Sequence, residues 1–401
     1  MRVLLVLEAT LGGTSRHILD LAHGLLERKV EVHLIHSLLR ADEGFVSGLE
    51  GLCRTYPAFR QHAIPMNREL SVSDFGCYLK LRSYIRDNGP FDVIHAHSTK
   101  AGFLARLQSI RSTTRVVYTP HGLMTLNPEL AGFRRRAVCA LESMLSRWTD
   151  SVIAVSSVEL KCALETGIAP STLTVIPNGI QLVAPAVQME QREKIRASLG
   201  LSDDTVCIGF VGRLVAYKEP QRVIEAFACL KRLTNRRVRL ALIGWGPLQP
   251  ELEKRVADLS LSSDVSFLGQ VDGRRHMPAF DVLIQATRFE AFSYVLVEGL
   301  AAGLPAVTTR VGAAGDLITE GVTGYICDPW DPVTGAVLLK TLVDDPDRRS
   351  VMSEAAREIS SRYSVANMVD SVAGLYESLC SQASPDALRQ IRYQNSPGNL
   401  Q

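Results

Sequence analysis

The 401-residue chain lacks three patterns that would each assign it to a particular class of protein. Its eight cysteines are scattered, without a Cys-x-x-Cys pair or a cysteine–histidine cluster, which argues against a zinc site and a disulfide framework. The formal net charge is only +2 with both signs interspersed, so no basic field favours nucleic-acid binding. No uncharged apolar run is long enough to span a bilayer, and the N-terminal run reaches only Glu8, too short for a signal peptide. These absences favour a protein of the reducing cytoplasm.

What the chain does contain is a repeated alternation of apolar runs and helical patterns. With 46% hydrophobic residues it can bury a large core, and its length favours two domains over one. Strand-like runs that alternate with helical segments predict parallel sheets wrapped by helices. Strands are expected at 3–7, 30–35, 91–97, 115–120, 151–156 and 173–177, and then at 206–214, 241–246, 265–269, 282–287, 305–309 and 324–328.

The alternation weakens across 183–204, a mixed and polar stretch that is interpreted as a linker. The chain is therefore expected to form two doubly wound α/β domains, over residues 1–182 and 205–364. Helices are expected near 332–343, 347–361 and 365–380, and the last is predicted to pack back on the first domain. Residues 381–401 lack an apolar face and are predicted to form a flexible tail.

Two glutamates within 289–307 are the first candidates for ligand binding. Glu290 lies on a short loop after a predicted buried strand, and Glu298 lies eight positions later in an apolar run of helical period. Open α/β sheets bind nucleotides at the carboxyl ends of their strands. A carboxylate on the first turns of a helix can accept two neighbouring hydroxyls, as a ribose requires, while the helix N-terminus favours an adjacent phosphate. A carboxylate on the preceding loop can hold sugar hydroxyls.

A pair of cations follows the predicted strand at 206–214. Arg213 comes directly after Gly212, and Lys218 lies five positions further on. Arginine can grip two oxygens and lysine can neutralise a third, which suits a diphosphate, whereas solvated surface cations are the alternative. Gly244 follows the next strand and lets the backbone approach a ligand, although the third glycine of a dinucleotide fingerprint is missing.

Small residues and histidines mark the predicted strand ends of the first half. The candidates are Gly12, Gly13, Thr14, His95, His97, Lys100 and His121. The two glycines and the threonine offer backbone N–H groups between a strand and a helix. The three histidines end two predicted strands that are expected to be neighbours in one sheet, so their imidazoles are expected to point towards one crevice. Structural histidines are the alternative, and both interpretations stay open.

The segment 131–148 predicts a basic amphipathic helix. Its apolar side carries Phe133, Leu141, Leu145 and Trp148, and four arginines surround that side. Such a helix can lie on an anionic membrane, or it can pack on the sheet with a solvated basic face. The sequence leaves both interpretations open.

Taken together, these motifs resemble the family 4 glycosyltransferases of bacterial polysaccharide and lipopolysaccharide biosynthesis. Those are retaining enzymes of the GT-B architecture, in which two Rossmann-like domains face each other across a cleft. The resemblance covers nearly the whole chain outside the tail. The segments that carry it occur in order as GGTSRHILDLA, HAHSTKAG, YTPHG, AVSS, IPNGI, FVGRL with Lys218, E-x7-E and AAGLPAV.

The resemblance implies a role for most of the candidate residues. The implied catalytic residues are His121, Glu290, Arg213 and Lys218. The implied donor-binding residues are Gly12, Gly13, Gly212, Arg213, Lys218, Gly244, Glu290, Phe292, Ser293 and Glu298. The acceptor-side candidates are Thr14, His95, His97 and Lys100. The chain departs from the common pattern at Ala291 and Ser293, where glycine is frequent, and at Asp316, where glutamate is common.

By the resemblance, the two cations would hold the donor's diphosphate, Glu298 the ribose and Glu290 the transferred sugar. Cleavage of the sugar–phosphate bond builds negative charge on the departing diphosphate, which cations and helix-end amides stabilise. No metal or other cofactor is then expected. The only Asp-x-Asp, at 345–347, lies in a helical connection and is interpreted as a helix cap.

The expected partners are a nucleotide-sugar donor and a glycan or lipid-linked acceptor, with peripheral membrane contact through 131–148 on the cytoplasmic face. A nucleotide-sugar epimerase of the same two-domain architecture is the alternative enzyme. A nicotinamide-dependent oxidoreductase is disfavoured because G-x-G-x-x-G is missing. A non-catalytic sugar-nucleotide-binding module is disfavoured because the charged site residues are all present.

Overall fold

The computed structural model describes residues 1–69, 71–108 and 114–381. The chain forms two compact units, one from Met1–Gly179 with the segment that begins at Val365, and one from Ile180–Ser364. We call them unit 1 and unit 2. Beyond Ser381, the segment predicted to be a flexible tail lies outside the described residues.

Unit 1 is built on a seven-stranded sheet in the order β3-β2-β1-β4-β5-β6-β7. All of its strand pairs are parallel. The strands are β1 (Arg2–Leu7), β2 (Glu31–His36), β3 (Arg60–Ala63), β4 (Val93–His97), β5 (Arg115–Thr119), β6 (Ser151–Ala154) and β7 (Leu173–Val175). The helices are α1 (Gly13–Glu27), α2 (Glu43–Thr55), α3 (Ser73–Asn88), α4 (Thr99–Gln108), α5 (Gly132–Ser146), α6 (Ser157–Glu165) and the C-terminal α15 (Val365–Cys380).

Both faces of this sheet are buried, as the alternation of strands and helices requires. Along β1, Val3 and Leu5 belong to the core that includes α1 and α15, whereas Leu4 and Val6 belong to the core that includes α3 and α4. Helix α15 lies so close to α1 that a Cβ on Gly24 would come within 2.6 Å of Val369. The last helix of the chain is therefore an integral layer of unit 1.

Unit 2 is built on a six-stranded sheet in the order β10-β9-β8-β11-β12-β13. Its strand pairs are also parallel. The strands are β8 (Val206–Val211), β9 (Val238–Ile243), β10 (Val265–Gly269), β11 (Val282–Gln285), β12 (Ala306–Thr308) and β13 (Gly324–Ile326). The helices are α7 (Pro185–Ser198), α8 (Pro220–Leu233), α9 (Gln249–Asp258), α10 (Gly273–His276), α11 (Tyr294–Ala301), α12 (Ala314–Leu317), α13 (Pro332–Val343) and α14 (Pro346–Ser360).

The stretch expected to be a linker contains α7, which belongs to unit 2. Its packing is polar: Arg192 and Arg196 approach the two carboxylate oxygens of Asp281 at 2.6 and 3.1 Å. The second of those oxygens also accepts from the Cys207 N–H near the start of β8. A helix attached through ion pairs needs no apolar residues at helical spacing, so the apolar pattern does not predict it.

The helix cap expected within 345–347 is confirmed, because the Asp345 side chain accepts from the Arg348 N–H at the start of α14. Pro346 occupies the first turn of that helix, where its missing N–H costs nothing. Among the described helices, none combines the length with the apolar character that crossing a bilayer requires.

Candidate functional site

The strand order of unit 2 reverses direction between β8 and β11, because β9 and β10 extend the sheet on one side of β8 and β11 begins the other. In open α/β sheets such a reversal opens a crevice at the carboxyl ends of the two strands, where ligands bind. The loops after β8 and β11 meet at this point. The Arg288 N–H donates to the Tyr217 carbonyl at 2.8 Å, and the rings of Tyr217 and Phe289 lie 5.3 Å apart.

Lys218 and Glu290 come together at this reversal, although 72 positions separate them in the sequence. Lys218 ends a 3₁₀ turn (Ala216–Lys218) after β8, and Glu290 lies on the loop after β11. The Lys218 Nζ lies 2.9 Å from Glu290 Oε1. Lys218 is only 8% exposed, and Glu290 Oε2 is buried without a hydrogen-bond partner among the described residues. The pair therefore offers a cation and an unused acceptor to a ligand in the crevice.

The loops after β8 and β9 approach each other too closely for side chains. A Cβ on Gly244, whose φ is 129°, would lie 1.9 Å from the Gly212 carbonyl oxygen. Glycine is therefore required at this position. Arg213, the next residue after Gly212, is exposed and makes no ion pair within the described part of the chain.

The loop that carries Glu290 ends in a left-handed residue. Ser293 has φ 72° and ψ 74° and caps α11 without a side-chain hydrogen bond. A residue other than glycine in this region costs about 1–3 kcal/mol, which explains why glycine is frequent here in the resembling enzymes. Phe292 is buried, and its carbonyl accepts from the Ala313 N–H at 2.8 Å. The loop after β12 therefore holds the backbone at Phe292 in place.

Glu298 lies in the second turn of α11 and is half-buried. Its neighbours Leu296, Val297 and Leu300 are buried against the sheet. Glu298 therefore lies midway along the helix that follows the Glu290 loop, with buried neighbours on either side. The structure thus places the donor-binding candidates of the second half on the loops after β8, β9 and β11 and on the helix α11 that follows β11.

In unit 1 the order of strands reverses between β1 and β4, and the N-terminal candidates follow these strands. Gly12 has φ 70°, precedes α1, and donates its N–H to Asp42 at 3.2 Å. Gly12 and Gly13 are exposed, and Thr14 is half-buried. This glycine turn is open, because a Cβ added to Gly12 would meet no atom of the described residues within 4 Å.

A cluster of imidazoles lies beside this turn. His97 Nδ1 and His121 Nε2 are 3.0 Å apart, and the ring of His17 on α1 lies 4.5 Å from that of His121. His121 itself is half-buried and has φ 52°. Burial lowers the pKa of His97 and His121 well below the usual value and that of His17 to about 3, so all three are neutral near pH 7.

Neutral imidazoles can also bind metals, and one nitrogen from each ring of this cluster lies within 4.8 Å of the others. The hydrogen bond between His97 and His121 already occupies one nitrogen of each of those rings. The expectation that the reaction needs no metal therefore stays a prediction.

Two acceptor-side candidates are engaged inside the protein. His95 is fully buried and bonds through Nδ1 to the Tyr376 hydroxyl and through Nε2 to Thr119 Oγ1, at 2.5 and 2.7 Å. Lys100 is buried and bonds to the Asp74 carboxylate and the Glu69 carbonyl. This geometry favours a structural role for both residues over contact with an acceptor.

Comparisons with known proteins identify the family of the chain. Residues 11–183 match the family model described as Glycosyltransferase Family 4, and residues 191–359 match the one described as Glycosyl transferases group 1. A D-inositol 3-phosphate glycosyltransferase of Corynebacterium urealyticum is 30% identical over 318 residues, which cover 74% of each chain. The chain belongs to glycosyltransferase family 4. Membership also decides the enzyme class in favour of glycosyl transfer over the epimerase alternative.

Solved structures confirm the GT-B fold of this glycosyltransferase. HepE of Anabaena in complex with UDP superposes with a TM-score of 0.79 at 22% identity, covering 94% of this chain and all of the other. WaaG, a glycosyltransferase involved in lipopolysaccharide biosynthesis, superposes with a TM-score of 0.70 at 18% identity, covering 94% and 99%. At these identities the likeness shows the fold.

Two further residues of this glycosyltransferase lie beside the candidate site and carry only weak signals in the sequence. His17 follows the glycine turn and faces the strand ends, and its position four residues before Leu21 on the buried side of α1 is the signal that indicates it. Glu159 on α6 is fully buried and accepts from the N–H groups that follow His121. Its only sequence signal is Ser156-x-x-Glu159, a helix-capping pattern that hides its contacts with a distant loop.

Proposed function

We propose that this glycosyltransferase moves a sugar from a nucleotide-diphosphate donor to an acceptor hydroxyl, with retention at the anomeric carbon and without a divalent metal. The observation that carries the proposal is the pairing of Lys218 with Glu290 at the strand-order reversal of unit 2. A diphosphate at this point would meet the Lys218 ammonium, and the exposed Arg213 supplies a second cation.

The assigned chemistry is stabilisation of a leaving group. As the sugar–phosphate bond breaks, negative charge grows on the diphosphate, and fixed cations lower the barrier by meeting that charge. Lys218 is well suited because burial and its bond to Glu290 hold the ammonium in place before the donor binds. The unpartnered Oε2 of Glu290 can accept from a sugar hydroxyl, and Glu298 can accept from the ribose.

In unit 1 the proposed contact with the transferred sugar is His121. Its ring is neutral near pH 7 because burial lowers its pKa, so it can donate or accept a hydrogen bond without adding charge. Retention would bring the acceptor hydroxyl to the face that the diphosphate leaves, where a diphosphate oxygen would take the proton.

We also propose that the acceptor is a glycan or a lipid-linked sugar at a membrane surface. Phe133 at the start of α5 is 84% exposed and Met144 further along the helix is also exposed, whereas Leu145 of the predicted apolar side is buried. Arg134 and Arg136 are exposed on the same helix, so apolar and cationic side chains share one surface. This combination fits the interface of an anionic bilayer.

Titration with a panel of nucleoside diphosphates and their sugars tests the donor site. A ligand that binds only the folded protein raises its melting temperature, and a tighter ligand raises it more. Nucleotides of one base should therefore give the largest rise, and they should do so without added magnesium. Release of nucleoside diphosphate together with a glycosylated acceptor of unchanged anomeric configuration would support transfer with retention. Inversion, or binding only with a divalent ion, would contradict the proposal.

Vesicle flotation tests the membrane contact. Wild-type protein should float with vesicles that contain anionic lipid and not with neutral ones, and Phe133→Ser with Arg134→Ser should abolish flotation. Lys231→Ala removes a cation on α8 in unit 2 and is the matched control. Equal flotation of all three proteins would exclude α5 as the contact.

A further inference from the structure

Glu159 is a fully buried carboxylate whose partners are backbone groups from two other segments. Its Oε1 accepts from the Gly122 N–H at 2.7 Å and the Leu123 N–H at 3.1 Å. Its Oε2 accepts from the Val155 N–H at 2.9 Å, at the end of β6. Within the described residues it makes no ion pair. A buried charge of this kind is costly, so its three hydrogen bonds need an explanation.

The loop that Glu159 holds is the one that presents His121. His121 has φ 52° and Gly122 has φ 118°, so two successive residues lie in the left-handed region. For a side-chain-bearing residue such a conformation costs about 1–3 kcal/mol and persists only where the surroundings impose it. The two N–H groups that follow His121 are the ones bound by Glu159, which therefore fixes the loop at the point of strain.

Helix capping does not account for these contacts. In a capping box, the glutamate at the third helical position bonds to the N–H of the cap residue. Ser156 does cap α6 and accepts from the Glu159 N–H at 3.1 Å. The Glu159 carboxylate, however, reaches residues 36 and 37 positions earlier in the chain. Its bonds serve the His121 loop.

We infer that Glu159 is a positioning residue for His121, one that holds the loop after β5 against the end of β6 so that the imidazole is presented to the donor sugar. The inference rests on the proposed function, since it assumes that His121 contacts the sugar. Glu159 itself touches neither substrate nor reacting atoms.

The protonation of Glu159 supplies a readout. Burial raises the pKa of Glu159 to about 7, and the three backbone N–H groups offset this only in part. The titratable groups that face it are Tyr118 at the end of β5 and Cys162 one turn along α6, and burial raises the pKa of both. Since protonation removes an acceptor position, the loop is fully held only when the carboxylate is ionised.

The decisive experiment is a double-mutant cycle with Glu159→Gln and His121→Ala, measured as release of nucleoside diphosphate from the donor. Glu159→Gln should lower kcat by about 10- to 100-fold through misplacement of the imidazole, with the KM for the donor little changed. The double variant should be no slower than His121→Ala alone, because the glutamate acts through the histidine. Asp150→Asn is the matched control: Asp150 bonds the Val116 N–H at the other end of β5, at 2.8 Å, and its variant should keep kcat.

The outcomes separate this inference from the function on which it rests. Effects of Glu159→Gln and His121→Ala that multiply, or a Glu159→Gln enzyme with full kcat, would overturn the positioning role alone. Full kcat in His121→Ala would instead refute the role of His121 in the proposed function. Should the glutamine variant unfold, the pH dependence of wild-type kcat is the test. The value of kcat should fall as pH drops below about 7, because protonation of Glu159 releases the loop. A kcat that stays constant through that range would overturn the inference.

Discussion

Replacement of Lys218 by alanine tests the donor site most directly, because the residue is already paired before any ligand arrives. The change removes the ammonium 2.9 Å from Glu290 and leaves that carboxylate without its cation, so the local charge falls from zero to −1. Two losses follow for a bound diphosphate. One is the attraction of the lysine, and the other is repulsion by the released glutamate.

The two losses have different magnitudes and can be separated. Loss of a preplaced transition-state contact of this kind costs roughly 2.7–4 kcal/mol, or about 10²- to 10³-fold in kcat. Repulsion between the released carboxylate and a diphosphate costs roughly 2–3 kcal/mol for unit charges about 6–8 Å apart at an effective dielectric constant near 20, which should appear as a roughly 30- to 100-fold weaker affinity for nucleoside diphosphate. Adding Glu290→Gln to Lys218→Ala removes the stranded charge and should restore most of that affinity, although not the turnover.

Isothermal titration with the preferred nucleoside diphosphate gives the affinities, and release of that product from the sugar donor gives kcat. Lys231→Ala is the matched control, because Lys231 pairs with Asp264 at 3.0 Å in the same unit and is partly exposed. An exposed pair contributes about 0–1 kcal/mol, so this variant should bind and turn over like the wild type. Wild-type affinity and turnover in Lys218→Ala would refute the assigned site. Equal affinities of the single and double variants would refute the stranded-charge argument.

Three further predictions concern other parts of the molecule. Glu298→Ala should lower kcat/KM for the donor by about 100-fold, from lost contacts to the ribose, while melting temperature changes little; unchanged kinetics would remove Glu298 from the site. Treatment with EDTA should leave the transfer rate within about twofold, and a loss that magnesium reverses would contradict reaction without a metal. Burial raises the pKa of Glu159 from 4.5 to about 7, so the folded protein retains a proton there that the unfolded chain releases. Its contribution to the free energy of unfolding should therefore fall by about 1.4 kcal/mol per pH unit as pH rises from 4.5 to about 7. The difference between the unfolding free energies of wild type and Glu159→Gln, measured in urea at several pH values, should show this slope.

The strands were predictable because parallel sheets buried on both faces need continuous apolar runs, and such runs stand out in the sequence. Strand β3 was missed for the same reason, since all four of its residues are exposed at the sheet edge. The apolar pattern predicts a linker where α7 lies, because Arg192 and Arg196 attach this helix to unit 2 through the Asp281 carboxylate. An apolar period therefore detects elements that are held by packing and overlooks those held by charge.

The candidate site was predictable as a set of positions after strand ends, and its internal contacts were not. The positions of Lys218 and Glu290 follow from local pattern alone, since each comes after a buried strand. Their contact depends on the strand order, which places β11 beside β8 and not beside β10. The apolar pattern does not predict the strand order, because the central strands of the sheet all show the same kind of apolar run.

For His95 and His97 the local pattern predicts that the two side chains lie together, but it does not predict their different partners. Residues two apart on a strand share a face, so the sequence does place His95 and His97 together, and their rings lie 4.0 Å apart. What covers that face decides their roles, and the cover comes from distant parts of the chain: Tyr376 of α15, 281 positions later, bonds His95, whereas His97 meets His121. Neighbours with the same local signal thus lie in different surroundings: His95 bonds to Tyr376 and Thr119, whereas His97 bonds to His121. Only the packing of α15 against the sheet, a property of the whole of unit 1, distinguishes them.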